Sequence, residues 1–389
     1  MSIDLRERLA ATAIPGADAA RRHTADVVES AFAQPRPTRR RRRSRHRLVP
    51  FVVAALVALA GGASAIAGAG PGHAIAHWVR DIVAAPARPL GSLPGGGRLL
   101  VTGDGAWLLD SVGARHRLGD YDDAAWSPHG LYVAVTSGPE LAAVDPGGAV
   151  RWRLTVAGGS VRRPRWSPDG YRIAYRVGDS LRVVAGDGSG DHLVARRAMA
   201  VAPAWRPDRS HTLAWLTPGG TVFLGRADGG GGRVASAMYR DAIWLGWADR
   251  RHLLVATPTQ LFSIHPGSDP GNWQASTRRD WHVPRGETIL AAAVSPSRLR
   301  LAVLLERAGT TVLELRDPRT FAPVRTVAAV RGTGRDMVWA PDGRHVIVSL
   351  PRRGRWLLAA TSGSARPRLL TAVAGAFGTR AAAPRGWAR

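Results

Sequence analysis

Three features of the sequence predict an all-β fold of about seven four-stranded units fanned around an axis. A Trp-centred turn recurs at intervals of 39 to 47 residues from residue 92 onward. Each copy is followed by the same train of short apolar strands. Gly and Pro number 45 and 27 and fall in clusters between those strands, the composition of many tight turns. A repeat of this length matches one four-stranded blade of a β-propeller. Weak first and sixth units leave six or eight blades open beside seven. The full expectation adds one transmembrane helix and a short N-terminal helical tail before the propeller.

Hydrophobic residues make up 45% and charged residues 21%, enough apolar surface for a core and too little charge for wholesale disorder. The absence of Cys excludes structural disulfides, thiolate metal sites, cysteine nucleophiles and a lipid-modified Cys. The net charge is +25, and every basic side chain other than His is Arg. Outside residues 1–48 those arginines are dispersed. Nucleic-acid binders gather basic charge on one motif or face, so a solvated surface and no nucleic-acid partner are expected.

Residues 1–48 read as an Arg-rich cytoplasmic tail, with twelve Arg against five acidic residues. Ala20, Thr24, Val27, Val28 and Ala31 share one face of a helix near residues 17–32, which Pro35 and Pro37 end. Residues 49–69 carry no charge and, at about 1.5 Å per residue, reach across a hydrocarbon core of roughly 30 Å. The preceding Arg39, Arg40, Arg41, Arg42 and Arg43 fix topology, because basic flanks stay on the cytoplasmic side. A single-pass signal anchor in the cytoplasmic membrane follows, with the N-terminus inside and the propeller extracytoplasmic. Two readings compete: a signal peptide cleaved after Ala63-Ser64-Ala65, and a buried helix behind a nucleic-acid-binding Arg run. Residues 70–91 read as a juxtamembrane helix and linker. Ile75, Trp78, Val79 and Ile82 lie on one side of that helix, while His73 and His77 lack a third metal ligand nearby.

The propeller is assigned to residues 92–389. Its clearest turns are Trp126-Ser127-Pro128-His129-Gly130, Trp166-Ser167-Pro168-Asp169-Gly170 and Trp339-Ala340-Pro341-Asp342-Gly343. Trp205-Arg206-Pro207-Asp208 is close, Trp247-Ala248-Asp249 is shortened, and Val294-Ser295-Pro296-Ser297 replaces the Trp. An alternating apolar strand, a second strand, a Gly- or Pro-rich turn and a third strand follow in each unit. A four-stranded sheet cannot bury both faces alone, and radial stacking lets each blade cover its neighbours. Trp126, Trp166, Trp205, Trp247 and Trp339 are therefore read as core wedges rather than a ligand cage.

These turns resemble the signature of the TolB-like propeller family, W-S-P-D-G followed by a short apolar strand, over about three quarters of the chain. The resemblance implies an extracytoplasmic protein-binding platform. A span with an Arg-rich inner tail departs from a freely periplasmic member of that family.

The first unit supplies three strands, at 98–102, 107–110 and 116–118, and lacks its Trp strand. Pro384-Arg385-Gly386-Trp387 looks like a Trp strand with no blade after it. Trp387 is thus expected to complete the first blade and clasp the ring, removing an open edge.

No nucleophile elbow, phosphate loop or zinc-protease helix occurs. Asp187, Ser189 and Asp191 superficially resemble a calcium loop but read better as a hairpin turn. The insert at 266–285 mixes exposed-type aromatic and Arg residues. Asn272, Trp273, Arg278, Arg279, Trp281 and His282 are its candidate binding residues, with a degenerate strand as the plainer reading. No cofactor is implied. The expected function is a non-enzymatic binding scaffold for a protein, peptide or envelope ligand. A membrane-linked sensor whose inner tail contacts a signalling partner is the alternative, and a propeller enzyme with channel ligands is a third.

Overall fold

The computed structural model describes residues 88–228, 233–266 and 275–389, all within the compact unit Gly68–Arg389. Seven four-stranded antiparallel sheets follow one another along it, the last extended at its outer edge by Arg88–Pro89, which pairs in parallel with Arg368–Thr371. Blade 1 consists of Arg98–Gly103, Gly105–Asp110 and Arg115–Gly119, with Ala383–Ala388 as its innermost strand. Blades 2 to 7 each run from an inner to an outer strand in simple sequence order. Their inner strands are Asp123–Trp126, Val161–Trp166, Ala204–Trp205, Trp244–Trp247, Glu287–Val294 and Met337–Trp339. Each inner strand touches the next, and Met337–Trp339 touches Ala383–Ala388, which touches Asp123–Trp126. The circle is therefore closed.

The core follows this plan. Seven apolar clusters fill the seven junctions between adjacent blades. Leu100, Leu108, Val133 and Val135 join blades 1 and 2, whereas Ala302, Leu313, Val346 and Leu357 join blades 6 and 7. The second strand of a blade is covered on both faces. Thr212–Leu216 and Leu253–Ala256 are buried at every position. The alternating pattern expected of these strands gives way to continuous burial for that reason. Outer strands such as Val150–Thr155 stay largely in solvent.

The anchor turns explain why Ser, Pro and Gly recur. In blade 3 the Ser167 N–H donates to Arg172 O and Gly170 N–H to Ser167 O, while Ser167 Oγ accepts from Arg172 N–H at 2.9 Å. The chain then turns through a left-handed residue, Gly170 at φ +80°. Blade 6 places Arg298 at the corresponding position, at φ +61°.

The anchor indoles link the blades. Trp166 Nε1 donates to Ala125 O (3.1 Å), Trp205 Nε1 to Arg165 O (2.8 Å) and Trp247 Nε1 to Ala204 O (3.1 Å). Trp339 Nε1 donates to Ala293 O (3.0 Å). Every acceptor is the residue just before the preceding blade's anchor position. Trp387, on the closing strand, pairs opposite Leu99 and donates instead to Gly96 O at 2.9 Å. A five-residue helix, α1 (Val373–Phe377), precedes that strand and buries Val373 and Phe377 between blades 7 and 1.

The membrane expectation is corrected here. Among the described residues no helix is long and apolar enough to cross a membrane. The only α-helix among them, α1, rises about 7.5 Å against the roughly 30 Å of a hydrocarbon core. The transmembrane helix, the signal anchor, the cytoplasmic-membrane partner and the single-pass, extracytoplasmic placement are withdrawn with it. Residues 1–48 with their helical tail, the Arg39–Arg43 run, the stretch 49–69 and the helix near 73–83 lie outside the described residues.

Candidate functional site

The turn that follows each anchor Trp ends by lifting one or two side chains off the ring. In blade 2 these are Leu131 and Tyr132, 61% and 40% exposed, and in blade 3 Tyr171, 67% exposed. Nine large apolar side chains are exposed among the described residues, and five belong to blades 2 and 3. That concentration marks one sector of the surface.

Between these blades lies a hollow of about 590 Å³, lined by Tyr132, Arg151, Trp152, Tyr171, Arg172 and Asp187 among others. Trp152 forms its floor. The indole Nε1 donates to Gly186 O of blade 3 at 2.8 Å. A Cβ at Gly188 would stand 2.7 Å from the ring, and Gly188 has φ +88°, so only glycine fits this turn. The guanidinium of Arg151 is held by Asp145 at 2.7 Å, and that of Arg172 by Asp228 of blade 4 at 3.3 Å. Side-chain and backbone hydrogen bonds from Ser189 hold the Asp187 carboxyl below the usual carboxylate range. The result is an aromatic hollow with a charged rim of fixed guanidinium and carboxylate groups, an arrangement suited to binding.

The residues nominated from sequence fall elsewhere. Asn272 and Trp273 lie outside the described residues. Arg278 belongs to the outer strand Ala275–His282 of blade 5. Trp281 is half-buried against the cluster joining blades 5 and 6, with the Arg316 guanidinium 3.5 Å over its ring. Arg279 is exposed and shares a hollow of about 340 Å³ with His252, His265 and Arg319. His282 is exposed and contacts Gln260. The calcium-like loop separates its carboxylates, since Asp191 accepts from Tyr175 Oη at 2.6 Å and from Arg182 at 2.5 Å. Burial first, then this acceptor, pushes the Tyr175 hydroxyl well above its ordinary range. Among the described residues no group of three or more His, Asp or Glu side chains is placed to hold a metal. Tyr132, Tyr171 and Trp152 escaped the sequence reading. A Tyr one or two residues after the Gly of two turn motifs was the available signal.

A ring of this construction belongs to the class of seven-bladed β-propellers. Two solved structures carry the comparison. A functionally unknown protein from Desulfotomaculum acetoxidans is 14% identical, with 75% of this chain and 99% of that one covered and a TM-score of 0.56. The Swd1 β-propeller domain of Myceliophteria thermophila is 13% identical, with 64% and 85% covered and a TM-score of 0.52. At such identities the likeness carries the fold alone. No protein-family model matches the sequence, and no curated protein matches it either.

Proposed function

We propose that this protein is a non-catalytic scaffold that binds a protein or peptide segment through the hollow between blades 2 and 3. One observation carries the reading: Tyr132, Tyr171 and Trp152 stand with Arg151 and Arg172 around a single depression. Tyr, Trp and Arg are the residue types that dominate binding hot spots, because they combine large apolar area with directed hydrogen bonds. The occupant is a segment with an aromatic or aliphatic anchor beside an acidic residue. The anchor covers Trp152, and the acid complements Arg151 and Arg172 in a chain of net charge +25. The resemblance of the turns to TolB-like propellers, protein-binding platforms in that family, supports the same reading. On this view the exposed Arg279 and His282 of blade 5 form a secondary contact.

Panning a random peptide library on the full chain tests the proposal. Acidic-aromatic peptides are expected to emerge, and Tyr171→Ser is expected to weaken them about tenfold. The thermal midpoint should hold steady, since Tyr171 is largely in solvent. Peptides that bind Tyr171→Ser and Arg172→Gln as tightly as the parent place recognition elsewhere and defeat the proposal.

A further inference from the structure

A second hollow, of about 540 Å³, opens along the inner strands of blades 3, 4 and 5 and the anchor turn of blade 6. Its lining includes Arg163, Arg165 and Arg298 and no carboxylate. These arginines are unusual in different ways. The Arg163 N–H donates to Asp123 Oδ2 at 3.0 Å and its backbone stands at φ +56°, while its guanidinium has no hydrogen bond or ion pair among the described residues. Arg165 donates only to the adjacent Pro164 O, at 3.2 Å. Arg298 occupies a left-handed position that glycine takes in three other turns, and its Nη1 reaches Trp247 O at 2.8 Å.

The nearby carboxylates are already engaged. Asp123 accepts from the N–H groups of Arg163 and Ala124 and lies 3.5 Å from Arg385. Asp336 accepts from Ser349 Oγ and faces Arg385 at 3.4 Å. Arg385 thus draws on both acids, and the four arginines outnumber these two carboxylates. Desolvation weakens the charged form of Arg165; Asp123 partly offsets this, and Arg385 and Arg163 add to it. Desolvation does the same to Arg298, and there Asp249 partly offsets it. Arg163 and Arg298 are exposed and Arg165 is half-buried. Concave and lined by these cations with no carboxylate among its lining residues, the hollow concentrates a field that attracts anions.

We propose that this hollow binds a small polyanion bearing phosphate or carboxylate groups. Guanidinium groups pair with such oxyanions through two parallel N–H···O bonds, and a bound oxyanion relieves the repulsion between Arg163 and Arg165. The hollow has room for more than a single oxyanion, and three guanidinium groups line it, which suits a ligand with two or more charged groups. None of the three arginines lines the hollow between blades 2 and 3, so this inference and the peptide-binding proposal stand or fall separately.

Calorimetric titration of the full chain with sodium pyrophosphate, and separately with citrate, at ionic strength fixed by sodium chloride, tests the inference. Saturable binding of at least one anion is expected. Tighter pyrophosphate assigns the natural ligand to the phosphates, and tighter citrate to the carboxylates. Arg165→Gln and Arg298→Gln should each weaken binding about tenfold, and Arg172→Gln should leave it unchanged. Without ligand, Arg165→Gln should melt above the parent, because it removes a half-buried cation repelled by its neighbours. Binding no stronger than the chloride control, binding indifferent to Arg165→Gln, or a lower melting point for that variant would each overturn the site.

Discussion

Blades 3, 4, 5 and 7 are each fastened to the preceding blade by their anchor indole, and the junctions of blade 1 carry no such anchor link. Trp126 shows the contrast. Its Nε1 is buried without a partner, and its ring lies so close to Gly386 that a Cβ there would approach to 3.2 Å. Trp387 donates to Gly96 O within its own blade. The seam relies on other means: the pairing of Ala383–Ala388 with Arg98–Gly103, and Phe377 between Trp356 and Trp107 at 5.3 and 6.1 Å. Trp356 Nε1 adds a bond to Ala382 O at 2.9 Å. The repeat reuses one polar link wherever an anchor Trp follows the preceding blade in sequence. Where a strand arrives from the far end, apolar packing and the Trp356 bond take the place of that link.

The largest test removes the seam outright. Deleting residues 373–389 strips blade 1 of its inner strand and should abolish the cooperative melting transition in calorimetry. A truncated chain that melts like the parent would show the seam to be dispensable. Phe377→Ala leaves a cavity between two indoles and should cost about 3–5 kcal/mol in denaturant unfolding. A loss below about 1 kcal/mol would show that the packing contributes little there.

Blade 5 sharpens the comparison at a degraded turn. There Asp249 accepts from the N–H groups of Arg251 and His252 and the His252 ring, and pairs with Arg319 of blade 6. Burial alone would raise this carboxyl, but those donors outweigh it and hold it at about 2. The unfolded chain binds the proton more readily, so the contribution, about 2 kcal/mol, is complete above about pH 4 and lost as pH falls toward 2. Melting curves between pH 2 and 5 should fall more steeply for the parent than for Asp249→Asn. Equal slopes would remove Asp249 as the joint's anchor.

The smallest test compares two indoles. Trp205→Phe loses a hydrogen bond and orphans Arg165 O, at about 1–2 kcal/mol beyond the packing loss. Trp126→Phe loses no hydrogen bond and should cost less by that amount. Equal losses would mean that the indole links contribute nothing.

Much of the ring was legible. The anchor turns fixed blade spacing because Trp, Ser, Pro and Gly each answer a local requirement at a set offset. Three strands of blade 1 were placed from their apolar runs alone. The helix α1 was not, because five residues give no periodicity to read. The axial arginines were hidden for another reason. Asp123, Arg163, Trp244 and Asp336 all lie three residues before an anchor, but a search for repeated metal ligands passes over positions where the charge changes sign between blades. Tyr132 read as a strand residue and Tyr171 fell between the turn motif and the strand after it, and the turn geometry lifts both into solvent.

The pairing of Ala383–Ala388 with Arg98–Gly103 also sets the timetable of biogenesis. While the ribosome makes six intervening blades, the first keeps a naked hydrogen-bonding edge, open to chaperones or to a neighbouring nascent chain. Sealing is necessarily a late act, completed only after synthesis has passed Ala388.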